Sequence, residues 1–115
     1  MPSIEIQTNV KVEETVAQTV KSRLGEIITY LPGKSESGLM VVLEDESKMW
    51  FHGEKDLPMA IVEVKIFGEK VDKEGSNKMT GAVCELLQKE LGLDPENIYV
   101  RYMALPHWGC NGRNF

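Results

Sequence analysis

The chain has 115 residues, of which 42% are hydrophobic and 27% charged, with a formal net charge of -5. That balance suits one soluble domain spanning residues 1–115, and a chain of this length buries about two thirds of its unfolded surface, so a core needs neither disulfides nor a structural metal. Scattered acids without a basic stripe argue against a nucleic-acid surface, no apolar run is long enough to span a membrane, and the opening MPSIEIQTNV lacks the features of a secretory leader, which makes the cytoplasm the expected compartment.

Ser3 to Thr8 alternates, with Ile4 and Ile6 on one side and Glu5 and Gln7 on the other, the pattern of a strand with one buried face. From Val12 to Leu31, Val16, Val20, Leu24, Ile27, Ile28 and Leu31 recur at three- and four-residue steps, which predicts an amphipathic helix ending before Pro32-Gly33. Leu39 to Leu43 reads as a buried strand, and Met49-Trp50-Phe51 as a short edge segment. Met59 to Phe67 is again a strand, with Ala60, Val62, Val64 and Ile66 on one face. Met79, Val83, Leu86, Leu87 and Leu91 mark a second amphipathic helix, with Ser76 or Asn77 as its N-cap and Gly92 at its C′ position. Ile98 to Met103 closes the set as a strand.

The chain thus reads β-α-β twice, and the openings Pro2-Ser3-Ile4-Glu5-Ile6 and Pro58-Met59-Ala60-Ile61-Val62 suggest an ancient duplication. Right-handed crossovers make each strand pair parallel, so the fold class is α/β (α+β): a four-stranded sheet with two helices on one face. The other face is expected to expose a large apolar surface that a symmetric oligomer would cover.

Candidate chemistry begins at Pro2. Initiator methionine is generally removed before a small residue, and removal of Met1 would turn Pro2 into a secondary amine. Apolar surroundings and a nearby cation would lower its pKa toward that of a general base. By itself, a proline in this place is most often an ordinary processed terminus. Lys34, in the turn Pro32-Gly33-Lys34, is the candidate cation, because a parallel crossover returns the chain to the end of the sheet where it began, although without Pro2 it would read as an ordinary solvated turn lysine. Tyr99 and Arg101 share one face of the last strand and together could polarise a carbonyl or hold a carboxylate, although packing across a sheet or interface explains such a pair as well. His52 and His107 have no partners at metal-ligand spacing, so no metal is assigned. Cys84 and Cys110 are read as reduced thiols rather than a framework.

Pro2 with its short strand, Thr8-Asn9-Val10, Gly33-Lys34, Phe51-x-Gly53, Ile98-Tyr99-Val100 and Trp108 resemble, in order and spacing, the macrophage migration inhibitory factor and D-dopachrome tautomerase family. The resemblance spans nearly the whole chain. It implies a homotrimer with an active site at each subunit interface, in which Pro2 is the catalytic proline, Lys34 binds the substrate carboxylate and Phe67 lends a backbone contact. Tyr99 would come from the neighbouring subunit, Arg101 stands where the best-known members carry asparagine, and Trp108 and Phe115 match C-terminal aromatic residues. The implied reaction is cofactor-free keto-enol tautomerisation of a phenylpyruvate-like 2-oxo acid. Gly38 stands in place of a pocket tyrosine, Arg101 adds a cation and Pro106-His107 alters the lip, departures that imply a preference for a more acidic or less aromatic substrate. Met59-Ala60-Ile61-Val62 lacks the cysteine pair of the mammalian cytokine, so thiol-redox activity is not carried over. Two other readings stay open: a cytokine-like protein with a receptor and a vestigial site, secreted without a signal peptide as some relatives are, and a hydratase or dehalogenase of unsaturated acids.

Overall fold

In a computed structural model describing residues 1–115, the first alternating segment forms β1 (Pro2–Thr8), whose Ile4, Ile6 and Thr8 are fully buried. The first amphipathic helix, α1 (Glu14–Ile27), turns its Val20, Leu24 and Ile27 into the core. It begins two residues inside the expected start and tightens into a 3-10 turn over Ile28–Tyr30 before Leu31 becomes extended. β2 (Met40–Glu44) follows, and then β3 (Ala60–Phe67), which has the alternating burial expected of it. Between them, Phe51 and Glu54 form a bridge closed by His52-Gly53, both at positive φ, in place of a longer edge strand.

The second helix, α2 (Lys73–Leu91), starts a turn earlier than apolar periodicity indicated. Neither Ser76 nor Asn77 caps it. The N-cap is Asp72, whose carboxylate accepts from the Gly75 N–H at 2.7 Å. The segment Lys73-Glu74-Gly75 adds no apolar side chain to the stripe, so periodicity passes over this turn. The far end is as expected, with Gly92 left-handed at φ 70°. β4 runs Ile98–Leu105, two residues beyond Met103, and a small unforeseen hairpin of β5 (Gly109–Cys110) and β6 (Arg113–Asn114) follows.

The sheet order is β2-β1-β3-β4. Each crossover joins a parallel pair, β1 with β2 and β3 with β4, and the two units meet through an antiparallel β1-β3 pairing in which Pro2 faces Ile66 and Thr8 faces Ala60. This places the starts of β1 and β2 and the ends of β3 and β4 at one end of the sheet. Both helices cover the same face, where a continuous cluster joins Ile4, Leu24, Val62, Met79 and Leu87. Each such side chain contributes about 1.5–3 kcal/mol on burial.

Asn9 pins the chain entering β3. Its amide nitrogen donates to the carbonyls of Lys55 (3.2 Å) and Leu57 (2.7 Å), and its side-chain oxygen accepts from the Met59 N–H (2.9 Å). The buried Thr8 hydroxyl donates to the Met59 carbonyl at 2.7 Å. The Thr8-Asn9 pair therefore fixes the entry of β3 and, through the antiparallel pairing, helps hold β1 in register.

The uncovered face departs from expectation. Its centre is a charged band rather than a large apolar surface: the Lys65 ammonium lies 3.3 Å from Glu5 and 3.5 Å from Glu63, and Arg101 pairs with the same Glu63. Apolar exposure is confined to the margins, at Met40, Val42, Tyr99 and Met103. Glu5 and Glu63 sit directly opposite each other across the β1-β3 pair, a repulsive arrangement that the two cations offset.

Asp72→Ala should lower the stability to unfolding by about 1 kcal/mol through loss of the cap, and Asn9→Ala by about 1 kcal/mol or more because it leaves partly buried backbone groups of Leu57 and Met59 without their partner. Urea denaturation measures both, and an Asn9→Ala chain as stable as wild type would refute its role as the pin.

Candidate functional site

The end of the sheet where β1 begins gathers the first set of candidate residues. Pro2 is buried there, in register with Ile66. Lys34 reaches the same place from the turn after α1: its N–H bonds to the Leu31 carbonyl at 3.1 Å, and Gly33 takes φ 77°, the arrangement of a type II turn with Pro32-Gly33 at its centre. The turn sends the half-buried Lys34 side chain across to β3, where its ammonium donates to the Phe67 carbonyl at 2.8 Å. Lys34 takes part in no ion pair, so its positive charge is not neutralised by a carboxylate.

Phe67 is engaged through both backbone groups. While its carbonyl accepts from Lys34, its N–H donates to the Met1 carbonyl at 2.9 Å. Its ring meets that of Phe115, with centroids 5.7 Å apart. The C-terminal hairpin makes that contact: Asn111 and Gly112 both have positive φ, as a tight two-residue turn requires, and the Phe115 N–H bonds back to the Trp108 carbonyl at 3.0 Å. Asn111-Gly112 is a strong hairpin signal in the sequence, and it is what returns Phe115 to this end of the sheet. Trp108 itself is partly buried at the base of the hairpin.

The amine of Met1 has a pKa below the usual terminal value, first because burial disfavours its charged form and second because Lys34 repels it. A terminal nitrogen in this setting is thus biased toward the neutral, basic form.

Tyr99 and Arg101 do not join this group within one chain. Tyr99 pairs with Ile61 and Pro2 with Ile66, so at about 3.4 Å per residue they are separated by roughly 17 Å along the sheet. Tyr99 is 57% exposed at the opposite end, edge-on to Phe51 with centroids 5.2 Å apart, beside an apolar cavity of about 230 Å³ lined by Trp50, Phe51, Met59 and Ile61 among others. Arg101 lies mid-strand. Its guanidinium hydrogen-bonds to Glu63 and holds that carboxyl below its ordinary pKa. Of the expected site residues, the chain therefore brings together Pro2, Lys34, Phe67 and the Phe115 aromatic, and holds Tyr99 and Arg101 apart from them on the open face of an edge strand.

Comparison with known proteins places this arrangement. The family model for macrophage migration inhibitory factor matches residues 1–115. Two MIF-like proteins of Caenorhabditis elegans are similar: mif-3 is 30% identical over 105 residues, covering 91% of this chain and 68% of that protein, and mif-2 is 26% identical over 106 residues, covering 92% and 86%. Among solved structures, Leishmania major MIF2 superposes with a TM-score of 0.90 at 28% identity, covering 100% of this chain and 97% of that one. A homologue from Prochlorococcus marinus gives 0.80 at 30% identity, with 98% of each chain covered. The chain belongs to the macrophage migration inhibitory factor family of the tautomerase superfamily.

Proposed function

We propose that the chain, once Met1 is removed, is a keto-enol tautomerase of phenylpyruvate-like 2-oxo acids with the Pro2 amine as its general base. The observation that carries this reading is the Lys34 ammonium fixed 2.8 Å from the Phe67 carbonyl at the end of the sheet where Pro2 is buried, and the lowered pKa of the neighbouring Met1 amine, caused by burial and by Lys34, supports it.

The steps follow from the groups present. The substrate carboxylate binds the Lys34 ammonium, which has no carboxylate partner in the chain. Removal of Met1 takes away the carbonyl that the Phe67 N–H now serves, leaving that donor for a substrate oxygen. The neutral Pro2 nitrogen takes a proton from the carbon next to the ketone. The C–H electron pair becomes a C=C bond, the carbonyl π pair moves to oxygen, and the proton is returned to that oxygen. Protons and electrons balance within the substrate, so the reaction uses no cofactor. Lys34 has two roles, as carboxylate anchor and as the charge that keeps Pro2 deprotonated.

Tyr99 enters this site from a neighbouring subunit of a homotrimer, and Arg101 and Trp108 complete the substrate contacts. Two features support the assembly. A separation of roughly 17 Å means that Tyr99 can serve a Pro2 site only from another copy. The sheet also ends in unpaired edges at β2 and β4, which carry the exposed Met40, Tyr99 and Met103 and are open to pairing between copies. No helix is long and apolar enough to cross a membrane.

Three outcomes are expected. In material whose intact mass lacks Met1, Pro2→Gly should reduce phenylpyruvate tautomerisation about 10²–10⁴-fold with little change in melting temperature; a processed but inactive wild type would point to a different substrate or a binding role. The rate should rise with pH through a pKa below the ordinary α-amine value of about 8, because protonation of Pro2 removes the base, and Lys34→Met should move that limb to higher pH while raising KM. Mixing and reassembling inactive Pro2→Gly and Tyr99→Ala chains should restore part of the activity if Tyr99 acts across subunits; no recovery would contradict a role for Tyr99 at the Pro2 site of another subunit.

A further inference from the structure

Arg101 brings a positive charge to the open face, and the fold supplies that charge with its own counter-ion. Glu63 stands directly opposite Arg101 across the parallel β3-β4 pair, and the two side chains meet in a hydrogen-bonded ion pair. The Glu63 side chain is 32% exposed and also lies 3.5 Å from the Lys65 ammonium. Its carboxyl is held below the ordinary carboxylate value, chiefly by the hydrogen bond from Arg101, so it is ionised at neutral pH.

The pair borders two cavities of about 250 Å³ each. In one, Glu5, Glu44 and Glu63 set three carboxylates around the single Arg101 guanidinium. Gln7 donates to Glu44 there at 3.2 Å but brings no charge. The other cavity holds Lys65, whose ammonium is shared between Glu5 and Glu63. Glu5 and Glu63 thus cancel Lys65 and Arg101, and Glu44 leaves the surroundings of Arg101 net negative. Arg101 lies two residues from Tyr99 on the same face of β4, about 7 Å along the strand, so whichever Pro2 site Tyr99 borders, Arg101 borders as well. A 2-oxo acid anchored at Lys34 by its carboxylate directs its far end away from that lysine. At Arg101 that far end meets a cation already neutralised, with carboxylates around it that repel a second negative charge.

We propose that Glu63 is a specificity-determining residue that neutralises Arg101, so that the site accepts 2-oxo acids with one negative charge and rejects those with a second anionic group at the far end. This reverses the preference for acidic substrates that the Arg101 charge alone implies. The proposal deepens the tautomerase reading and rests on it for the position of the substrate, whereas its test reads binding. Inert aryl-propanoates keep the carboxylate and lack the ketone, so affinity is measured without turnover. Processed wild type should bind 3-phenylpropanoate more tightly than 3-(4-carboxyphenyl)propanoate in calorimetric titration. Glu63→Gln keeps the size of the side chain and an acceptor for Arg101 while removing the charge. It should strengthen the diacid about 10-fold or more and change the monoacid by less than about threefold. Glu63→Asp, which keeps the charge, should retain the wild-type preference, and adding Arg101→Gln to Glu63→Gln should abolish the gain.

Glu63→Thr also removes the charge, with a residue suited to a strand, so it keeps the test valid if the glutamine variant does not fold, and melting temperature checks both. An unchanged ligand preference in these variants, an equal gain for both ligands, a gain that survives Arg101→Gln, or no binding of either ligand by wild type would overturn the proposal. A protein that shows the charge preference yet turns over no 2-oxo acid, or keeps its turnover in Pro2→Gly, would instead refute the tautomerase reading and leave Glu63 as the charge filter of a binding site.

Discussion

The hydrogen bond from the Lys34 ammonium to the Phe67 carbonyl ties the turn after α1 to the end of β3, and the site depends on it. Those segments belong to different halves of the chain and are joined only because β1 and β3 pair antiparallel while each β-α-β unit pairs parallel. That topology puts a strand start, a crossover turn and a strand end at one edge of the sheet. A freely moving lysine would be solvated and would add little to the field at Pro2. Anchored at 2.8 Å to a backbone oxygen, it keeps its charge beside the terminal nitrogen.

The two faces of the sheet meet different demands. The helix-covered face is continuous hydrocarbon, with Thr8 the buried polar exception and its hydroxyl satisfied by the Met59 carbonyl. The other face concentrates Glu5, Glu63, Lys65 and Arg101 at its centre and keeps its exposed apolar side chains at the margins. A charged centre with apolar edges suits contact along the rims better than face-to-face stacking, which would bury the ion pairs at a desolvation cost. The same distribution leaves Tyr99 projecting from an edge strand instead of packing over its own chain.

Much of this arrangement is legible in the sequence. The alternation of β1 and β3, the stripe from Val16 to Leu31 and the Gly92 stop are local signals that the tertiary structure agrees with. Parallel crossover geometry brings Pro2 and Lys34 together without further information. The turn at Lys73-Glu74-Gly75 is invisible to hydrophobic periodicity because it starts a helix with polar residues over an Asp72 cap. Glu5, Glu63, Lys65 and Arg101 occupy open-face positions that alternation in each strand identifies, but their meeting in one charged centre depends on the β1-β3-β4 register, which no single strand specifies. The contacts of Phe67 with Met1, Lys34 and Phe115 join positions far apart in the chain and depend on a β1-β3 register that local pattern does not specify.

The proposed tautomerase needs the N-terminal nitrogen of processed Pro2 to be neutral at working pH, through its burial and through Lys34. Nitrogen-15 labelling of proline and direct NMR titration of the Pro2 amine in the Met1-free protein measures this without reference to any substrate. The expected result is a pKa clearly below the ordinary α-amine value of about 8, rising toward it in Lys34→Met. A Pro2 pKa at or above the ordinary value, unmoved by loss of the lysine charge, would contradict it.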